Sequence, residues 1–168
     1  HVDGYYYKPR IDHEHLARYA SGLIGRSACL GGEVAKALEV EDWDLARSVA
    51  GRYGDIFGRD GFFLELQDHG LPEQTRLNSQ LLRLAGESGL PLVATNDLHY
   101  VRADQSDAHD VLLCVGTGNN LDSPGRLKFE TPEFYLKSAA QMAALFPDRL
   151  DAIRASRRIA EMIDVTLP

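Results

Sequence analysis

Three short apolar runs constrain this chain more than any other feature. Gly22 to Cys29 (GLIGRSAC), Gly61 to Asp68 (GFFLELQD) and Gly89 to Thr95 (GLPLVAT) each open on a glycine and are strand-length. Between them lie segments with helical spacing. Leu30-Gly-Gly-Glu33 opens one; from Asp42 to Phe57, Trp43, Ala46, Ala50 and Tyr53 recur every three or four residues; Pro72, tolerated in a first turn, begins a third that runs to Glu87. Strand, helix, strand, helix, strand at these separations requires right-handed crossovers and mostly parallel strands, so the fold class is α/β. Further helices are expected from Asp12, as N-cap, through Tyr19, from Asp104 to Val115, from Ser138 to Phe146 and from Asp151 to Asp164. Gly116 to Arg126 reads as an exposed loop and Phe134 to Leu136 as a short strand.

With 168 residues the chain can bury about 70% of its unfolded surface, enough for one domain with a real core. Its 44% hydrophobic and 26% charged residues exclude the disordered and fibrous classes. No apolar run approaches the roughly 18 to 20 residues of a membrane span, and HVDGYYYKPR lacks the apolar centre of a signal peptide. Two cysteines, Cys29 and Cys114, are too few for a disulfide framework, so the expectation is a protein of the reducing cytoplasm. Eighteen basic against 25 acidic residues leave a net charge of −7, which argues against coating nucleic acid by bulk charge. It leaves open an enzyme that acts on phosphodiesters through bound metal.

Polar residues collect at the C-terminal ends of the expected strands, where parallel α/β sheets and barrels place their chemistry. Asp97-Leu-His99 is the sharpest local feature, because residues two apart on an extended segment share a face, as two ligands of one metal would. The plainer reading is a strand-end Asp on a loop amide beside a hydrogen-bonded His. Cys29 ends another expected strand and reads as a ligand, a nucleophile or a small buried residue. Cys114 lies among Val111, Leu112 and Val115 and reads as core. His13 and His15 would diverge on a helix, and His109 reads as a surface or satisfied residue. Glu65 and Gln67 share one strand face, which fits a wet barrel interior or a solvent-facing edge strand. Lys8, Arg10, His69 and Asn96 are candidates for phosphate contact; Arg126 and Lys128 also fall in turn-rich segments, with scattered surface charge the alternative.

Taken together, Tyr6 to Asp12 (YYKPRID), Gly22 to Glu33, Phe63 to Gly70 (FLELQDHG), Val93 to Val101 (VATNDLHYV) and Phe134 to Lys137 (FYLK) resemble one family in order along nearly the whole chain. It is the polymerase-and-histidinol-phosphatase (PHP) domain at the N-terminus of bacterial replicative DNA polymerase III alpha subunits. The resemblance implies part of a distorted (β/α)7 TIM-like barrel whose strand ends bind up to three ions of zinc, manganese or iron. Where the ligands are kept, such a site is a 3′→5′ exonuclease used in proofreading; where they are lost, the domain is a scaffold that docks a separate exonuclease subunit. By position, Cys29 matches the late Cys or His ligand, and Asp97 and His99 match the terminal Asp-x-His pair. The family's N-terminal His-x-His motif has no counterpart, since His13 and His15 are misplaced for it. Residues 1–168 are therefore expected to be the C-terminal portion of the domain, with the polymerase module and its magnesium outside the chain, and to be inactive alone. The implied partners are DNA and other polymerase III holoenzyme subunits, among them the sliding clamp and the proofreading exonuclease. A small-molecule phosphoesterase of the histidinol-phosphatase type shares the metal logic, but the YYKPRID and FYLK segments resemble the polymerase branch.

Overall fold

The computed structural model describes residues 4–166, so His1 and the closing Leu167 and Pro168 lie outside the described residues. Two short strands, β1 (Tyr5–Tyr6) and β2 (Lys8–Pro9), form an antiparallel hairpin, followed by helix α1 (His13–Tyr19). Asp12 caps α1 by accepting from the His15 backbone N–H at 2.7 Å. Then come β3 (Gly25–Arg26), α2 (Glu33–Glu39), α3 (Trp43–Phe57), β4 (Phe62–Leu66), α4 (Pro72–Ser88) and β5 (Leu92–Ala94). Helix α5 (Ser106–Thr117), a long loop, α6 (Ala139–Leu145) and α7 (Leu150–Met162) complete the described chain.

Strands β3, β4 and β5 form one parallel sheet in that order, with Gly25 opposite Phe62 and Leu64 opposite Leu92. The α/β expectation holds, and a closed seven-stranded barrel is not present among the described residues. Two expected strands are shorter than the sequence implies. The run from Gly22 to Cys29 keeps only Gly25–Arg26 as strand, and Phe134 to Leu136 contributes a single parallel bridge between Tyr100 and Tyr135.

The alternation of β4 decides what each side of the sheet buries. Phe62, Leu64 and Leu66 join Val34 and Leu38 of α2, Ala46, Val49 and Ala50 of α3 and Leu77, Leu81 and Leu84 of α4 in the main core. Phe62 stacks on Tyr53 and Phe57, with ring centroids 5.1 and 6.1 Å away. On the other face Phe63 and Val93 pack with Ile24 and with Ala155 and Ile159 of α7. Farther along that face the residues become polar: Glu65, Gln67 and Thr95. The edge-strand alternative for Glu65 and Gln67 is thereby corrected, because β4 is the central strand and both side chains are buried.

Candidate functional site

Parallel strands end together, so the turns after β3, β4 and β5 gather the polar residues at one end of the sheet. On the floor lies a buried network. Glu65 accepts from Arg26 Nη1 at 3.1 Å, from Gln67 Nε2 at 3.3 Å and from the Thr95 hydroxyl. The Ser27 hydroxyl in turn accepts the Glu65 backbone N–H at 2.8 Å, tying β3 to β4. A glutamate only 5% exposed is sustained by these partners, since burial of an unpaired carboxylate is strongly unfavourable.

Above this floor the loop after β5 carries Asp97 and His99. Asp97 Oδ1 and His99 Nε2 are 3.2 Å apart, both partly open to solvent. The sharing of a face expected from their spacing is realised, and His69 helps to hold it. The His69 ring is completely buried, stacks on Phe134 at 4.2 Å, and accepts the Asp97 backbone N–H on Nε2 at 3.1 Å. Gln74 grips its other side: Oε1 accepts the His69 backbone N–H, and Nε2 lies 2.8 Å from Nδ1. Burial pushes the His69 imidazole below its ordinary pKa, so the ring is neutral at pH 7. His69 therefore positions Asp97, and its burial corrects the expectation that it contacts phosphate itself.

Asn96 is likewise occupied: its Nδ2 donates to Tyr135 O at 2.6 Å, and its Oδ1 lies 3.5 Å from Lys137 Nζ. Lys137 is the residue that sequence reasoning missed as part of this wall. Its side chain is 2% exposed, pairs with Glu133 at 3.0 Å, donates to the Glu133 carbonyl and sits over the Tyr135 ring. A lysine in the FYLK segment was the available signal, but only the packing of residues 131–137 against the β5 loop gives it a place. Thr131 completes that packing by donating to His69 O at 2.6 Å.

The other candidates fall elsewhere. Cys29 is exposed just beyond β3, where Ala28 takes a positive φ of 62° and the Gly32 N–H closes a turn on Cys29 O at 2.9 Å. The buried-residue alternative for it is therefore corrected. Among the described residues no three His, Cys, Asp or Glu side chains are grouped to hold a metal, so Cys29 is not brought together with Asp97 and His99. Lys8 is exposed on the hairpin, and Arg10 returns its backbone N–H to Gly4 O at 2.8 Å. His13 pairs with Glu33 and His15 with Asp12, so the two rings do diverge. Arg126 is no loose surface charge, since both its terminal nitrogens hold Asp110, at 2.5 and 2.7 Å. Cys114 is buried as expected, while Val111, Leu112 and Val115 around it are exposed. His109 is half-buried in an aromatic cluster with His99, Tyr100 and Phe129.

Asp97 and His99 offer a hard oxygen and an imidazole nitrogen, donors that suit a divalent transition ion. They fit as part of a centre rather than the whole, since such ions take four or more ligands.

Residues 1–69 match the PHP domain family. Over 168 residues the chain is 45% identical to DNA polymerase III subunit alpha of Treponema pallidum (strain Nichols), covering 100% of this chain and 14% of that protein. It is 49% identical over 141 residues to the subunit of the same name from Saccharopolyspora erythraea, covering 84% of this chain and 12% of that protein. Identity to the Thermus aquaticus subunit is 43% over 171 aligned positions, with 100% of this chain and 14% of that protein covered. The chain thus spans about one-seventh of the length of these relatives. No helix among the described residues is long and apolar enough to cross a membrane.

Proposed function

From a chain that belongs with the bacterial DNA polymerase III alpha subunits, homologous to a stretch of them from end to end and matching the PHP domain over residues 1–69, we infer a share in a metal-dependent phosphodiesterase site. That site serves a replicative DNA polymerase, and its reaction is 3′→5′ removal of nucleotides from DNA. The observation that carries this reading is the Asp97–His99 pair, 3.2 Å apart at the C-terminal end of a parallel strand. Residues 1–168 would form the later part of the PHP domain, and further donors, Cys29 among them, would complete the centre when the rest of the domain is in place.

A divalent ion of zinc, manganese or iron, when bound, would supply Lewis acidity and lower the pKa of a water. This chain's residues do the rest of the preparation. Asp97 offers negative charge, His99 an imidazole nitrogen, and His69 fixes the backbone that presents them. Lys137 and Asn96 pin the adjoining wall, and the Arg26–Glu65–Thr95 network keeps the strand ends in register. DNA and the other holoenzyme subunits, the clamp and a proofreading exonuclease included, are the partners this reading proposes.

A second reading, a non-catalytic module that stabilises the polymerase, is favoured by one observation: no third donor joins Asp97 and His99 among the described residues. Elemental analysis separates the two. Zinc or manganese bound stoichiometrically by the alpha subunit and lost in Asp97→Ala/His99→Ala supports the phosphodiesterase. Equal metal content in wild type and variant would refute it.

A further inference from the structure

The long loop after α5 returns to the candidate centre as an aromatic wall. Phe129 and Phe134 pack on each other with ring centroids 4.4 Å apart, and each meets one of two histidines. Phe134 stacks parallel to His69 at 4.2 Å, while Phe129 meets the His99 ring at 4.6 Å and 78°, a T-shaped contact. The loop also fixes the His99 backbone, whose N–H donates to Phe134 O at 2.8 Å. Against the His99 ring itself, the polar group among the described residues is Asp97 Oδ1, 3.2 Å from Nε2, and both side chains are more than a third open to solvent. A contact so exposed is weak. The remaining neighbours are rings, and Phe129 is nearer than His109 at 5.4 Å or Phe134 at 5.9 Å.

Rotation of a histidine ring about Cβ–Cγ is broad and roughly two-fold. Half a turn would carry Cε1 into the place of Nε2, so that Asp97 would face a carbon. A histidine that binds metal is ordinarily oriented by a hydrogen bond from its second ring nitrogen. We propose that Phe129 orients His99 by ring contact instead, as a positioning residue that keeps Nε2 towards Asp97. The orientation needs no ion; its use, presenting a nitrogen to a divalent ion, rests on the phosphodiesterase reading. Aromatic contacts are directional, because the ring face is negative and the edge positive. One ring can therefore select the orientation of another, where an aliphatic side chain of similar size only fills space. Phe129 is itself placed from both sides. Before it in the chain, Arg126 holds Asp110 of α5 at 2.5 and 2.7 Å; after it, Thr131 donates to His69 O at 2.6 Å. A residue of the loop, outside the strand that carries Asp97 and His99, thereby sets the geometry of the pair.

The test is carbon-13 NMR relaxation of the His99 ring in the full chain, in EDTA. In the wild type the order parameter of its Cε1–H and Cδ2–H bonds should be about 0.85, the value of a rigid group, and Phe129→Ala should bring it below about 0.6. Phe129→Leu, which keeps apolar bulk and guards against a folding defect, should loosen the ring as well, and Phe129→Tyr should keep it ordered. Leu127→Ala, at a neighbouring loop position that is 55% exposed, should leave it unchanged. Zinc titration of the alpha subunit supplies the second readout, with Asp97→Ala/His99→Ala defining the site. Phe129→Ala should weaken zinc binding there about tenfold, the lower end of the range for loss of an outer-shell partner. An ordered His99 ring in both Phe129→Ala and Phe129→Leu, equal loosening in Leu127→Ala, or wild-type zinc affinity despite a loosened ring would overturn the proposal. Because the relaxation experiment contains no metal, the two readings fail separately. A ring that loosens as expected in a protein that binds no zinc keeps the positioning role of Phe129 and loses the phosphodiesterase reading; an ordered ring in a protein that binds zinc loses the positioning role alone.

Discussion

Replacing His69 by leucine tests whether a buried imidazole, rather than the loop's own conformation, holds Asp97 in place. The ring is fully buried, accepts the Asp97 N–H at 3.1 Å and stacks on Phe134 at 4.2 Å. A neutral imidazole accepts at one nitrogen only, so a single hydrogen bond is counted although Gln74 also approaches Nδ1. Leucine fills much of the volume but leaves that donor unpaired, which costs about 1–3 kcal/mol. Loss of the ring–ring contact adds about 0.5–1.5 kcal/mol. The expected destabilisation is therefore about 2–4 kcal/mol, and at a urea slope of about 2 kcal/mol per M the midpoint falls by about 1–2 M. Urea unfolding followed by circular dichroism at pH 7 reads this directly. A midpoint shifted by less than about 0.3 M, with unchanged slope, would refute the positioning role, because it would mean the Asp97 amide finds another acceptor at no cost.

Three further outcomes are expected. Phe62→Ala empties the stack with Tyr53 and Phe57 and should destabilise by about 3–5 kcal/mol in the same urea assay. At Gly32 an added Cβ would stand 2.2 Å from Ser27 O, so Gly32→Ala should destabilise by about 1–3 kcal/mol and make Cys29 react with a maleimide at an altered rate. Hydrogen bonds from Arg47 and then Arg83 lower the pKa of Glu87, and those from Arg126 lower that of Asp110. Groups whose folded pKa is depressed stabilise above the ordinary carboxylate value and lose that contribution as pH falls through the folded value. Unfolding midpoints should thus decline below about pH 4, and Arg126→Met should lessen the decline.

The legible part of this protein is what neighbours in sequence decide. Asp12, Asp42 and Ser138 cap their helices through their own side chains, as their positions before helical runs imply. The two-residue spacing of Asp97 and His99 was enough to place both on one side of the chain. The family resemblance was legible too, because the motifs it rests on are contiguous stretches. What failed were statements about burial. The Val111, Leu112 and Val115 face looks like core by composition and is exposed, since nothing among the described residues packs over it. Cys29 looks like a buried strand end and is exposed, because β3 stops after two residues.

By itself, then, the sequence determined the order and type of the main elements, the helix caps and the kinship, all of which depend on local conformational preference or contiguous pattern. The tertiary structure alone decided that β4 is central, which settled the choice between interior and edge for Glu65 and Gln67 and made them a buried network with Arg26 and Thr95. It also decided that His69 reaches Asp97 across 28 residues and that Lys137 closes on Asn96 across 41. Such contacts depend on which strands lie side by side and on how the long loop folds back, and burial and hydrogen bonding act between whatever surfaces are brought together, however far apart they lie along the chain.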